Sequence, residues 1–352
     1  MRKLSDRALD HLREVAQRPD FSGTRYELGD EVARGGMGVV YVARDRELGR
    51  DVALKVVGAE MADAEAFARL RREARIIALL EHPGIVPVHD VGTLADGRVF
   101  YAMKLVSGKR LDAQVQDAPS LGERLRLFLR ICEPVAFAHA HGVIHRDLKP
   151  ENVMVGPFGE VLVMDWGVAK HHEEEGPVGD RADAPAPARE HDTAHGTILG
   201  TPAYMAPEQA RGEVDRVDAR ADVYSLGAIL YFLLTGRAPG RTKAGPDEPT
   251  RTWSGPSRPP AIEPPRRLAP HVPRPLEAIC LRAMARDPEG RYPSADDLAA
   301  DVGRFLEGER VCAYPENAWQ KARRFAARHR TAFALVLAYL VMRIVLLVVA
   351  RI

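Results

Sequence analysis

The sequence predicts an α+β protein, with a small β-rich first part carrying one main helix, a larger helical second part and an apolar helix at the C-terminal end. Three observations carry this. Residues 26–57 alternate in the strand manner around a glycine cluster. From 120 onward the pattern is mainly helical. From Thr331 the chain is almost wholly apolar.

Composition sets the bounds. The 352 residues carry a formal net charge of +1, so no overall field points to nucleic acid or to an acidic substrate. Three widely spaced cysteines, Cys132, Cys280 and Cys312, fit neither a disulfide framework nor a zinc site and suit a reducing compartment. Residues 1–24 form an extension without the apolar core of a signal peptide. Leu9, Leu12, Val15 and Ala16 would share one face of a short amphipathic helix there.

The elements follow in order. YELGDEVARGGMGVVYVAR and DVALKVV read as strands, DAEAFARLRREARIIALL as a helix started by Asp63, and Val86–Val91 and Val99–Lys104 as short strands. SLGERLRLFLRICEPVAFAHAHG reads as one long helix opened by Ser120. Residues 171–195 form a long polar loop, and long loops inside a compact domain tend to be functional or disordered. DVYSLGAILYFLLTG is a buried helix, 238–275 is rich in Pro, Gly and Arg and irregular, and 276–307 is helical again.

The C-terminal run is long enough to cross a bilayer. A helix over 332–350 would span about 28 Å. Its twelve Leu, Ile, Val and Phe residues, at roughly −0.3 to −0.6 kcal/mol each, outweigh Arg343 at roughly +2.5 to +3.5 kcal/mol. Lys321, Arg323, Arg324, Arg328 and Arg330 precede it, with Trp319 placed for the interface, which keeps the N-terminal side cytoplasmic. The alternative is a buried or interfacial helix.

The motifs carry the chemistry. In Ala33-Arg34-Gly35-Gly36-Met37-Gly38-Val39-Val40, the glycines let backbone N–H groups close over phosphate oxygens. A full G-x-G-x-x-G pattern would place glycine at 33. Lys55, in Val52-Ala53-Leu54-Lys55, sits in an apolar strand and needs an acidic partner, for which Glu73 in the next helix is the candidate. His145-Arg146-Asp147-Leu148-Lys149-Pro150-Glu151-Asn152 is the strongest signal: Asp147 can accept a hydroxyl proton, Lys149 can neutralise a moving phosphoryl group and Asn152 can bind Mg²⁺. His139, His141 and His145 could suggest a metal cluster, but the loop motif already accounts for His145. Asp165, in Asp165-Trp166-Gly167, would bridge Mg²⁺ to phosphates. Asp222 and Arg291 are structural charges, with Arg291 pairing with Glu208.

Taken in order, these motifs resemble the eukaryotic-like (Hanks-type) protein kinases, in the flavour of bacterial membrane-bound serine/threonine kinases. The resemblance runs from about Tyr26 to Gly308 and rests on GGMGVVY, HPGIV, HRDLKPEN, GTPAYMAPEQ and DPEGRYPSADDL. It implies a two-lobed kinase domain over 25–308, divided into lobes at 25–106 and 107–308, then a basic juxtamembrane segment 309–330 and a transmembrane helix 331–351. It implies Asp147, Lys149, Lys55 and Glu73 as catalytic residues. ATP would meet Ala33, Arg34, Gly35, Gly36, Met37, Gly38, Val40, Ala53, Lys55, Met103, Lys104, Val106 and Met154. Met103 looks like the gatekeeper, and Lys104-Leu105-Val106 like the hinge whose backbone pairs with adenine. Asn152 and Asp165 would hold Mg²⁺, with Mn²⁺ as a substitute. Lys149 looks like the serine/threonine subclass, and Thr201 like the family threonine near Asp147. Thr193 and Thr197 are candidate phosphosites that would pair with Arg146.

The resemblance therefore implies a protein serine/threonine kinase that also phosphorylates its own loop. Its partners would be ATP, protein substrates and the inner membrane, with no nucleic acid; dimerisation is compatible with it. With the apolar segment at the end of the chain, sensing is expected to be cytoplasmic, intramembrane or through a partner. Departures are Ala33, Trp166 in place of phenylalanine, Lys104, the long proline-rich loop and the 238–275 segment. Ala33 and Trp166 would also suit a nucleotide-binding pseudokinase scaffold. A small-molecule kinase is the third reading, against which the GTPAYMAPE segment speaks.

Overall fold

The computed structural model describes residues 18–35, 38–58, 64–114, 120–166, 170–171, 202–213, 216–240, 262–322 and 330–349. The amphipathic helix expected at 9–16, Gly36 and Met37, the 171–195 loop beyond 171, and Thr193, Thr197 and Thr201 lie outside them.

Five antiparallel strands form the first lobe: β1 (Tyr26–Gly35), β2 (Gly38–Asp45), β3 (Arg50–Val56), then, after helix α1 (Ala64–Leu79), β4 (Val88–Thr93) and β5 (Val99–Lys104), in the order β1-β2-β3-β5-β4. The β1–β2 hairpin closes on Gly35 opposite Gly38. Gly38 has φ +149°, and a Cβ there would lie 2.3 Å from the Val56 carbonyl oxygen, so no other residue fits. Leu70, Glu73, Ala74, Ile76 and Ile77 give α1 one buried face.

The outer face of the sheet has its own apolar cluster, including Tyr26, Tyr41, Leu54 and Phe100. Phe21 completes it, its ring 4.9 Å from that of Phe100 in an edge arrangement. The segment before β1 is thus packed onto the sheet from residue 18, where Arg18 Nη2 donates to Gly29 O at 2.8 Å. The sequence reading of residues 1–24 as extension and linker did not anticipate this.

The second lobe starts with β6 (Lys109–Arg110), α2 (Leu111–Gln114) and α3 (Leu121–Ala140), the expected long helix. Ser120 opens α3 in a capping box with Glu123. Pro134 lies inside α3 and meets the His82-Pro83-Gly84 turn; a Cβ on Gly84 would sit 3.0 Å from Pro134 Cγ. Then come β7 (Val143–Ile144), β8 (Val153–Val155), β9 (Val161–Val163), β10 (Lys170–His171), α4 (Pro207–Ala210) and α5 (Ala219–Thr235). Helix α5 is buried almost all round, as its apolar sequence requires. Helix α6 (Pro265–Leu268) adds one short helical turn inside the 238–275 stretch expected to be mostly irregular, and α7 (Arg274–Ala283) begins the helical patterning expected from 276; both carry a proline in the first turn, where the missing N–H costs nothing. Helix α8 (Ala295–Leu306) packs on α3.

The apolar C-terminal helix is present as α9 (Arg330–Val349), with Leu335, Val336, Tyr339, Leu340, Val341, Met342 and Leu346 exposed. Some of its side chains lie outside the described residues. Among the described residues no helix is long and apolar enough to cross a membrane, so the expected span is not carried by the fold itself.

Candidate active site

Strand β3 puts Lys55 on the sheet face that meets α1. Its Nζ lies 2.7 Å from Glu73 Oε1 and 2.8 Å from Asp165 Oδ1. Lys55 and Glu73 are buried, while the Asp165 side chain is 52% exposed towards the cleft. Burial works against the Lys55 ammonium, but Tyr101, Glu73 and Asp165 outweigh it and raise its pKa well above the ordinary lysine value. Burial likewise pushes the Asp165 carboxyl up, and Lys55, followed by His145 and Lys149, brings it below the ordinary value. Both therefore stay ionised around neutrality.

The loop between β7 and the short 3₁₀ turn Pro150–Asn152 carries the second group. Lys149 Nζ lies 2.6 Å from Asp147 Oδ2. Asn152 Nδ2 donates to Asp147 O at 2.8 Å and to Asp147 Oδ2 at 3.1 Å. Arg146 and Asp165 are the two described non-glycine residues with positive φ, 68° and 66°. Such conformations persist where the surroundings fix them, and they mark functional loops. Here Asp222 fixes the first: its carboxylate accepts from His145 N at 2.8 Å and Arg146 N at 2.9 Å, with His139 Nε2 at 2.7 Å.

Trp166 is buried behind Asp165. Its indole N–H donates to Val163 O at 3.3 Å and its ring lies 4.6 Å from the His145 ring. His145 Nε2 sits 2.9 Å from Met164 O. The larger aromatic thus finds room and a partner for its N–H. The three histidines serve different partners, His141 Nδ1 lying 2.8 Å from Phe137 O, and no metal-binding cluster of three or more His, Cys, Asp or Glu occurs among the described residues.

Arg291 and Glu208 form the expected pair, bidentate at 2.7 Å for each bond and fully buried. Ala33 lies in β1 opposite Val40, outside the positive-φ set, so alanine there strains nothing. Arg34 pairs with Glu31 at 2.7 Å. Ala53 faces Met103, and Val52 faces Lys104, across β3 and β5. Lys104 is exposed and its N–H donates to Pro87 O at 3.1 Å. Val106 and Met154 are half-buried on the second-lobe side of the cleft. One residue escaped the sequence reading: Tyr101, whose hydroxyl donates to Glu73 Oε1 at 2.8 Å. Its apolar strand neighbours gave no signal for a polar role.

Comparison with known proteins places this arrangement. Residues 26–299 match the protein kinase domain family, and the chain belongs to it. It is 39% identical over 297 residues to serine/threonine-protein kinase PknB of Mycolicibacterium smegmatis, covering 83% of this chain and 44% of that protein. It is 36% identical over 301 residues to serine/threonine-protein kinase PknD of Chlamydia abortus, covering 80% and 31%. The crystal structure of the Mycobacterium tuberculosis PknI kinase domain aligns with a TM-score of 0.57 at 26% identity, covering 80% of this chain and 96% of that one. The family is therefore the Hanks-type kinases of bacteria, and the two-lobed fold is theirs. The chain spans less than half the length of the curated relatives it matches.

Membership brings ATP and a divalent metal. The residues present fit a hard cation: Asp165 offers a half-exposed carboxylate, and Asn152 has its amide nitrogen committed to Asp147, which leaves its carbonyl oxygen as the ligating atom.

Proposed function

We propose that this protein transfers the γ-phosphoryl group of ATP to serine or threonine hydroxyls of proteins and, on its own chain, of the segment between Asp165 and Gly200, where Thr193 and Thr197 are the candidate acceptors. One observation carries the proposal: Lys55 joins Glu73 and Asp165 in one hydrogen-bonded group while Asp147, Lys149 and Asn152 form a second. A scaffold that had lost catalysis would have no use for both.

In this reading the β1–β2 hairpin, which carries Ala33, Arg34, Gly35, Gly38 and Val40, would cover the phosphates. Adenine lies between Ala53 and Met154, beside Met103, and pairs with the backbone at Lys104–Val106. Lys55, held by Glu73, orients the α- and β-phosphates as a point charge. Asn152 and Asp165 would hold Mg²⁺, for which Mn²⁺ would substitute, and the bound ion would neutralise phosphate charge. Asp147 accepts the proton of the attacking hydroxyl as its oxygen bonds to phosphorus and the bond to the ADP oxygen breaks. Lys149, already on Asp147 Oδ2, stabilises the charge on the transferring group. No covalent enzyme intermediate is needed.

The proposal extends to location. The described residues hold no helix that meets the demands of a membrane span, so this part of the reading rests on the apolar run 331–351 of the sequence. The exposed Leu335, Val336, Leu340, Val341 and Leu346, with the basic residues 321–330 before them, support an anchor in the inner membrane with the kinase domain, 25–308, in the cytoplasm. A homodimer is compatible with this, and no nucleic-acid partner is proposed.

The test is incubation of the full chain with γ-labelled ATP, Mg²⁺ and a generic basic protein, followed by mass-spectrometric mapping. Label on serine or threonine is expected. Label on neither protein, with ATP bound, would favour the scaffold.

A further inference from the structure

Lys55 and Tyr101 are direct cross-strand partners in β3 and β5, so both side chains rise from the same face of the sheet. Both reach across to α1. Lys55 Nζ and the Tyr101 hydroxyl converge on one atom, Glu73 Oε1, at 2.7 and 2.8 Å. Tyr101 and Glu73 are 2% exposed, and Lys55 Nζ lies 5.9 Å from the Tyr101 ring centroid. A buried tyrosine hydroxyl needs a partner, and a buried carboxylate needs donors. Each supplies the other's need.

The two ties differ in what else they serve. Lys55 has three donors and already spends one on Asp165; in the reaction it must also serve the nucleotide. The Tyr101 hydroxyl faces Glu73 and has no nucleotide to serve. It can hold the carboxylate, and with it α1, while Lys55 turns to the phosphates.

We propose that Tyr101 is a positioning residue for the kinase reaction, a second tie between the sheet and α1 that keeps Glu73 aimed at Lys55 throughout turnover. The proposal rests on the kinase reading above. It predicts that the helix is held in place before ATP arrives rather than drawn in by it.

The test is Tyr101→Phe in the full chain, which keeps the ring and removes only the oxygen. Two readouts are taken beside a melting curve. The first is kcat, in Tyr101→Phe alone and in a Glu73→Ala background. The second is amide hydrogen exchange of residues 70–77 against β3 and β5, measured without ATP. The expected result is a kcat about tenfold lower, the range for one hydrogen bond to a charged group, shrinking to within about twofold once Glu73 is absent. Exchange in 70–77 rises more than in the strands, beyond what the lower melting temperature expected from losing one buried hydrogen bond produces across the whole fold. An unchanged kcat, a loss equally large without Glu73, or unchanged exchange in α1 would each overturn the proposal. Should the parent transfer no phosphate, the exchange experiment still decides whether the tie exists, and only the kinase reading falls.

Discussion

Asp222 Oδ1 accepts the backbone N–H of Arg146 at 2.9 Å, and Arg146 is held at φ +68°. The bond links the buried helix α5 to the loop that presents Asp147, one residue on. Asp222→Asn would turn an N–H₂ group towards an N–H donor. The expected outcome is a loss of about 2–3 kcal/mol, the cost of an unsatisfied buried donor pair, together with a lower kcat. Urea denaturation and steady-state kinetics on the variant check it.

Two buried carboxylates set the response to acid. Burial raises Asp222, and His139 with the His145 contacts outweighs that to hold it below its ordinary value. Burial raises Asp301 too, but the backbone N–H groups of Cys312 and Ala313, at 2.6 and 3.0 Å, and the Tyr292 hydroxyl at 2.7 Å bring it down. A depressed folded-state pKa contributes stability above the unfolded value of about 3.9 and loses it as pH falls through the folded value. The contribution of these two carboxylates should therefore be constant from about pH 5 to 7 and be lost below pH 4, while His82 and His89, which burial holds below the ordinary histidine value, add a smaller loss of melting temperature as pH falls from 7 through the unfolded histidine value of about 6.5. Asp301→Asn should melt lower at neutral pH and flatten the drop below about pH 4.

The Arg291–Glu208 pair is buried, and Arg291 also donates to the carbonyls of Ala285 and Arg220 at 2.8 Å each. Removing one partner strands the other. Arg291→Ala should cost about 3–5 kcal/mol, read by denaturant unfolding. Replacing both residues by apolar ones should cost less than this single truncation.

Phe21 tests whether the segment before β1 belongs to the folded unit. Phe21→Ala removes a buried ring that packs on Phe100. A loss of about 3 kcal/mol is expected, with kcat at low temperature unchanged.

Much of the fold was legible because local signals and burial agree. Ser120 and Glu123 mark the start of α3 on the page, and the unbroken apolar run of α5 matches its position at the centre of the second lobe. The candidate site was legible where residue type is scarce in its setting: Lys55 in an apolar strand needed an acid and found Glu73. Tyr101 was not, because a tyrosine in a strand is ordinary and only the β3–β5 register reveals its neighbour. Phe21 was hidden because the short irregular chain over 18–25 carries no period. Helix α6 was masked by a proline, a residue that terminates helices in most positions and starts one here.

The central claim is that Asp147 takes the hydroxyl proton while other groups bind ATP. The direct measurement is kcat for phosphoryl transfer to protein, beside the ATP dissociation constant by calorimetry, for the parent and Asp147→Asn. In Asp147→Asn kcat should fall by about 10²–10⁴, the contribution of a positioned general base, with ATP affinity within about twofold. Full transfer by Asp147→Asn, or ATP bound and no transfer by the parent, would contradict it.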